Sequence, residues 1–232
     1  DLDNRLVWIV DELVNIFLAS DVALIMKNFG KSTKQEDPVV HFYETFLGEY
    51  NPALRKARGV WYTPQPVVNF IVRAVDDILK EDFNLAEGLA DSSKATFEIA
   101  IEGKRKPQLE ELHRVQILDP ATGTGTFLAE TIKHIHQTKL QLNPQEWSHY
   151  VENDLIPRLN GFEILMASYA MAHLKLDLLL GDLKFTPTHK NQRLNVYLTN
   201  SLEEFKQKDI KDLEVARWLL NEANAANRIK RD

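Results

Sequence analysis

From Asn4 to Met26 the apolar residues return every three or four positions, the spacing of one face of a helix. The segment 37–50, DPVVHFYETFLGEY, repeats that spacing, with Asp37 placed to cap and Pro38 at the first helical position. Both stretches predict an all-helical beginning, closed by the basic, turn-like NPALRKARG of 51–59. Residues 61–80, WYTPQPVVNFIVRAVDDILK, predict another helix. Thr63 is placed to cap it, and Pro64 and Pro66 fall in the first turn, where backbone amides lack internal partners anyway. Residues 90–111 are polar and alternating and read as a loop or small hairpin.

Beyond them the pattern changes. HRVQILDP (113–120) is the first convincing buried strand, and it runs into a helix from Gly125 to about Leu140. RLNGFEI (158–164) predicts a second strand, followed by the apolar helix of 165–180. RLNVYLTNSL (193–202) predicts a third, followed by a charged helix over 208–230. Strands alternating with helices imply an α/β domain with a parallel sheet covered on both faces.

Charge and composition narrow the picture. The chain has 28 basic and 34 acidic side chains, a net charge of −6, so its summed field does not favour phosphate backbones. It has no cysteine, which removes thiolate metal sites, disulfides and a cysteine nucleophile from these residues. No stretch approaches the roughly 18 apolar residues of a membrane helix, and a cytoplasmic setting fits. The seven histidines form no ligand cluster; His134 and His136, two apart, point to different sides of their helix and read as surface residues. The chain begins at Asp1, without an initiator Met, which reads as a piece of a longer protein.

The chemistry concentrates at Asp119-Pro120-Ala121-Thr122-Gly123-Thr124-Gly125-Thr126-Phe127. A Gly-x-Gly turn between strand and helix lets backbone amides approach a ligand closely. The dinucleotide fingerprint would need glycine at 128, where Leu128 stands, and a phosphate loop would need Gly-Lys-Ser/Thr. A carboxylate at the strand end repels phosphate and suits a ligand with a cationic amine and no pyrophosphate, such as S-adenosylmethionine. The plainer alternative is a tight turn with Asp119 as a cap on the helix side.

DPATGTGTF (119–127) resembles motif I of the amino-group DNA methyltransferases, and ARGVWYTPQPVVNFIV (57–72) resembles their motif X. With GFEI (161–164) and NVYLTNSL (195–202), the order matches the adenine-N6 methyltransferases of restriction-modification systems, above all single-chain enzymes that also carry nuclease and translocase parts. The resemblance covers roughly residues 40–205. It implies an incomplete Rossmann-like, S-adenosylmethionine-dependent fold over 59–232, preceded by a helical segment over 1–58.

The resemblance also implies roles. Asp119 would face the methionine amino group, while Pro120, Ala121, Thr122, Gly123 and Gly125 let the cofactor approach. Thr63, at the positive end of the helix beginning at Pro64, would bind the methionine carboxylate, with Tyr62 lining the pocket. Phe127 would pack beneath the loop or beside the cofactor, or serve as the first core residue of its helix. Glu163 would accept from both ribose hydroxyls, or be a solvated strand-end carboxylate, and Ile164 would flank the adenine. Its separation from Asp119, 163 − 119 = 44 residues, exceeds the usual twenty or so and predicts an extra helix within 143–157. Asn200 stands where the family commonly has an acid that accepts from the adenine amino group; an amide oxygen can still accept that bond. Asp182, after Gly181, reads as a helix stop.

The family's Asn/Asp-Pro-Pro-aromatic tetrapeptide, which fixes the target amine of a flipped base, is absent, because none of the nine prolines neighbours another. The expectation is therefore a cofactor-binding part, inactive by itself, of an adenine-specific DNA methyltransferase. DNA would be met by the intact parent, with nuclease, translocase and target-recognition domains as possible companions. Arg55, Lys56 and Arg58 form the local basic patch, near DNA or in a solvated turn. Two alternatives stay open: a non-catalytic coupling module of the same fold, and a methyltransferase acting on RNA or protein glutamine.

Overall fold

The computed structural model describes residues 7–19, 63–99, 108–188 and 192–202, together with Glu222, Ala225, Ala226 and Ile229. The chain divides into two units, Asp1–Arg58 and Gly59–Asp232. In the first, helix α1 spans Val7–Ala19 and carries exposed Trp8, Val14, Ile16 and Leu18. The rest of the helix expected over 4–26, the helix of 37–50 and the basic patch Arg55, Lys56 and Arg58 lie outside the described residues, as does most of the helix of 208–230.

The second unit is α/β. Strands β3 (Ile117–Asp119), β4 (Leu159–Glu163) and β5 (Asn195–Leu198) form a parallel sheet in that order. Helix α2 (Gln65–Glu81), α3 (Thr126–Thr138), the short α4 (Pro144–Tyr150) and α5 (Met166–Asp182) complete it. A separate antiparallel hairpin, β1 (Lys94–Ile99) with β2 (Gln108–His113), stands ahead of the sheet, so the segment 90–111 takes the hairpin option.

The core follows from the helical stripes. Leu128, Ile132 and Ile135 of α3 meet Val68 and Val72 of α2, Ala172, Leu176 and Leu180 of α5, and Leu159 and Val196 of the sheet. Each such aliphatic side chain contributes roughly 2 kcal/mol by leaving water. Flanking that buried stripe, α2 bears Val67, Ile71, Val75 and Ile78, and farther round it Phe70, all exposed.

Two sequence expectations change. The strand of 113–120 is split: His113 closes the hairpin opposite Lys94 and its imidazole meets Asp154 at 3.0 Å, leaving only 117–119 for the sheet. Thr63 does not cap α2. Pro64 is the N-cap residue, extended at ψ 135, and its carbonyl accepts from Val67 and Val68; no side chain caps this end. Pro66 has no N–H, so one fewer first-turn donor needs a partner.

The long β3-to-β4 connection is built locally. Asn143 and Glu146 form a reciprocal capping box at the start of α4: Asn143 Oδ1 accepts from the amides of Gln145 and Glu146, and Glu146 accepts from the Asn143 amide. The helix expected within 143–157 is α4, which ends at Tyr150 and continues as a π-helical turn (Val151–Leu155) and a 3-10 turn (Ile156–Arg158) before β4. Arg158 is fully buried and donates to the carbonyls of Asp154 and Leu89 and to the Tyr150 hydroxyl, tying this connection to the turn at Gly88–Ala90.

Asp76 interrupts the apolar stripe of α2 and is itself buried. Its carboxylate accepts from the Leu89 amide (2.7 Å) and Lys80 (2.6 Å), and lies 2.9 Å from His134 Nε2. His134 is therefore an inter-helix partner, and His136 packs edge-on against Trp147; both are half-buried rather than open surface residues. Burial pushes the Asp76 pKa up, but the hydrogen bonds from Lys80, Leu89 and His134 outweigh it and hold the group below its ordinary value. A depressed folded pKa means stability present above the unfolded carboxylate range, about pH 4, and lost as pH falls through the folded value. Asp76→Asn is expected to flatten this acid limb, measured as the change in urea midpoint between near-neutral and acidic buffer.

Candidate cofactor site

The parallel register brings the carboxyl ends of three strands to one edge. Asp119 of β3 lies opposite Gly161 of β4, and Glu163 of β4 lies opposite Leu198 of β5, with Asn200 two residues on. From Asp119 the chain turns through Thr122–Gly125 into α3. Thr122 is buried and anchors the turn three times: its amide donates to the Phe162 carbonyl (2.9 Å), its hydroxyl to the Asp119 carbonyl (3.0 Å), and its carbonyl accepts from Gly125 (2.8 Å). Gly161 makes room for it, since a Cβ there would stand 2.5 Å from Thr122 Oγ1. Gly123 and Gly125 have φ of +56° and +81°, a region side chains disfavour. Gly125 is the N-cap residue of α3, without a side-chain cap, so Asp119 does not cap that helix.

Asp119 Oδ1 accepts from the Ala121 amide at 3.2 Å, whereas Oδ2 is buried without a hydrogen-bond partner. Burial raises the Asp119 pKa, the Ala121 amide opposes that, and the nearby Glu163 charge adds to it; the balance lies above the ordinary carboxylate value. A buried acceptor with no donor is costly, and an ammonium donor would satisfy it while cancelling charge. Beside Gly123 the loop is open, with no atom within 4 Å of where a Cβ would stand.

Glu163 is buried, 8% exposed, not solvated. Its Oε2 accepts from the Gly123 amide and its Oε1 from the Leu165 amide, both at 2.7 Å. Ile164, next to it, is 51% exposed. Pro120 and Ala121 are exposed on the loop, and Phe127 packs against the core from the first turn of α3. Asn200 Oδ1 accepts from the Leu202 amide at 3.0 Å, and the Thr199 amide donates to the Glu163 carbonyl, so the β5 end is fastened beside Glu163.

Thr63 and Pro64 come from a different element, and Tyr62 lies outside the described residues. A bond absent from the sequence expectations connects their end of α2 to the helix that follows the loop: Gln65 Nε2 donates to Glu130 Oε2 at 2.9 Å, first turn of α2 to second turn of α3. Lys175 of α5 also reaches the loop's end, donating to Thr126 Oγ1 at 3.1 Å. Gln65 and Glu130 are 65 residues apart, and no local spacing announces such a pair. Among the described residues no group of three or more His, Asp or Glu could hold a metal, and no helix is long and apolar enough to cross a membrane.

A glycine turn from the first parallel strand into a helix, flanked by acids at the ends of two adjacent strands, lies at the carboxyl edge of an α/β sheet, the edge at which open α/β sheets in general bind ligands. The family model N-6 DNA Methylase matches residues 34–216, and the chain belongs to that family, whose membership implies a methyl donor. It is 25% identical over 240 residues to a protein of Methanocaldococcus jannaschii described as a type II restriction enzyme and methyltransferase, covering 90% of this chain but only 20% of that protein. The chain thus spans about a fifth of the length of that curated relative. Among solved structures it is similar to DrdV in its DNA complex by cryo-electron microscopy (TM-score 0.51, 25% identity, 82% of this chain, 15% of that one). It is also similar to a nuclease-deletion mutant of the type ISP restriction-modification enzyme LlaGI with a DNA substrate mimic (TM-score 0.48, 21% identity, 72% and 11%).

Proposed function

We propose that residues 59–232 are the cofactor-binding part of a site-specific DNA methyltransferase that methylates adenine N6 in a restriction-modification system, with 1–58 as a helical segment ahead of it and S-adenosylmethionine as the donor. Family membership supports the reaction class. The observation that carries the cofactor assignment is the buried, unpartnered Asp119 Oδ2 at the strand end that leads into the glycine turn.

On this reading Asp119 takes the cofactor's ammonium, and Thr63, with Tyr62 and Pro64, takes its carboxylate at the uncapped start of α2. Thr122 braces the turn, while Pro120, Ala121, Gly123 and Gly125 let the backbone approach and Phe127 supports it from the core. Glu163 retains acceptor capacity for the ribose hydroxyls, because a carboxylate has about four acceptor positions and two are used. Ile164 flanks the adenine and Asn200 accepts from its amino group. When bound, the cofactor supplies an electrophilic methyl on a sulfonium; these side chains orient it and balance its charge. The sequence holds no Pro-Pro-aromatic tetrapeptide, so target-base chemistry is assigned to the larger protein, together with DNA recognition and any nuclease or translocase parts, in the cytoplasm.

The test is transfer of radiolabelled methyl from S-adenosylmethionine to duplex DNA, RNA and protein by the intact protein. Label on adenine N6 of DNA, abolished by Asp119→Ala, is expected, whereas the 232-residue chain alone is expected to bind without turnover. DNA methylation that survives Asp119→Ala would assign the fold to coupling instead, and label on RNA or glutamine would move the substrate class.

A further inference from the structure

The turn is fixed at Thr122 and Gly125 by backbone hydrogen bonds, but its open tip at Gly123 is held by a side chain from another strand, 40 residues away. Gly123 has no Cβ and nothing within 4 Å of where one would stand, so on that side no neighbour packs against the left-handed residue. Glu163 holds it with a 2.7 Å bond from the Gly123 amide, and its other oxygen is fixed by the Leu165 amide at the start of α5, also at 2.7 Å. Bonds from amide to carboxylate are about twice as strong as neutral ones, and this carboxylate is out of water.

We propose that Glu163 is a positioning residue that locks the glycine turn in its ligand-binding shape before any cofactor arrives, clamped itself between the amides of Gly123 and Leu165. The lock needs a carboxylate. The two donors approach different oxygens, so the amide of a Glu163→Gln side chain can satisfy one and must turn its own N–H2 group toward the other. The proposal rests on the cofactor reading only where it concerns ligands; the lock itself is a property of the ligand-free chain.

Hydrogen exchange followed by mass spectrometry on the intact, ligand-free protein tests it directly. In Glu163→Gln, exchange at Gly123 is expected to rise by about tenfold or more while the α3 amides of 128–135 keep their protection. Unchanged exchange at Gly123 overturns the lock. Should α3 lose protection as well, Glu163→Asp, which keeps the charge and both acceptors, is expected to restore α3 and part of the Gly123 protection; no restoration overturns it. A second measurement separates locking from plain ribose contact. S-Adenosylhomocysteine and 5′-methylthioadenosine share adenine and ribose, but only the first has the amino-acid end that meets the turn. Calorimetry on Glu163→Gln is expected to show a several-fold larger loss of affinity for S-adenosylhomocysteine, and an equal loss for both overturns the proposal. If the wild-type protein binds neither, the cofactor reading fails, and the exchange experiment still decides the lock.

Discussion

Asp119→Asn is expected to weaken S-adenosylmethionine binding by about ten- to a hundredfold, the worth of a charge-assisted hydrogen bond in a buried site, and at the same time to steady the fold. The two effects share one cause. Burial and the Glu163 charge raise the folded-state pKa of Asp119 above its unfolded value, so the folded chain holds a proton more tightly than the unfolded one. Stability from this group is therefore fully present below the unfolded carboxylate pKa, about 4, and lost as pH rises through the raised folded value. Cofactor affinity runs the other way, because only the ionised form attracts an ammonium, and it falls as pH drops through that same raised value. Calorimetric titration across a pH series, set beside urea denaturation of wild type and Asp119→Asn, reads both slopes. An asparagine variant that keeps full affinity would remove Asp119 from the site.

Gly88→Ala is expected to be among the most damaging single methyl additions in the chain, lowering stability by about 2–5 kcal/mol from left-handed backbone strain plus overpacking. A Cβ there would lie 2.1 Å from Asp76 Oδ1 and 2.8 Å from Cγ, at a φ of +55°. The carboxylate cannot retreat, because Lys80, His134 and the Leu89 amide hold it from three directions. Gly123→Ala is the matched comparison: φ is +56° and no atom stands near, so only backbone strain of about 1–2 kcal/mol applies. Urea denaturation of the pair measures the difference, and equal losses would mean that the Asp76 cluster yields easily.

Periodicity located α3, β4 and α5 to within a few residues, since each carries a stripe or run that faces one core. It misjudged the first sheet strand, because apolar alternation from 113 to 120 cannot announce that His113 is claimed by Lys94 across the hairpin and by Asp154 beyond it. The third strand shrank likewise to 195–198, where Arg193 ahead of it forms a bidentate pair with buried Glu222. At the site, the resemblance to the family's motifs singled out Asp119, Glu163 and the turn between β3 and α3. It gave no sign that Glu163 grips Gly123, or that Gln65 and Glu130 join two helix ends, because both bonds depend on how distant segments pack. The partners of the two histidines of α3 were hidden for the same reason: Asp76 and Trp147, which engage them, come from other helices.

The apolar stripe on α2 has a practical consequence at the bench. Val67, Ile71, Val75 and Ile78 form a greasy ridge, Phe70 stands 66% exposed beside it, and a net charge of −6 is a weak colloidal brake. Sulfate salts strengthen the burial of such ridges, so early salting out in ammonium sulfate is the expected outcome, read by turbidity against salt concentration.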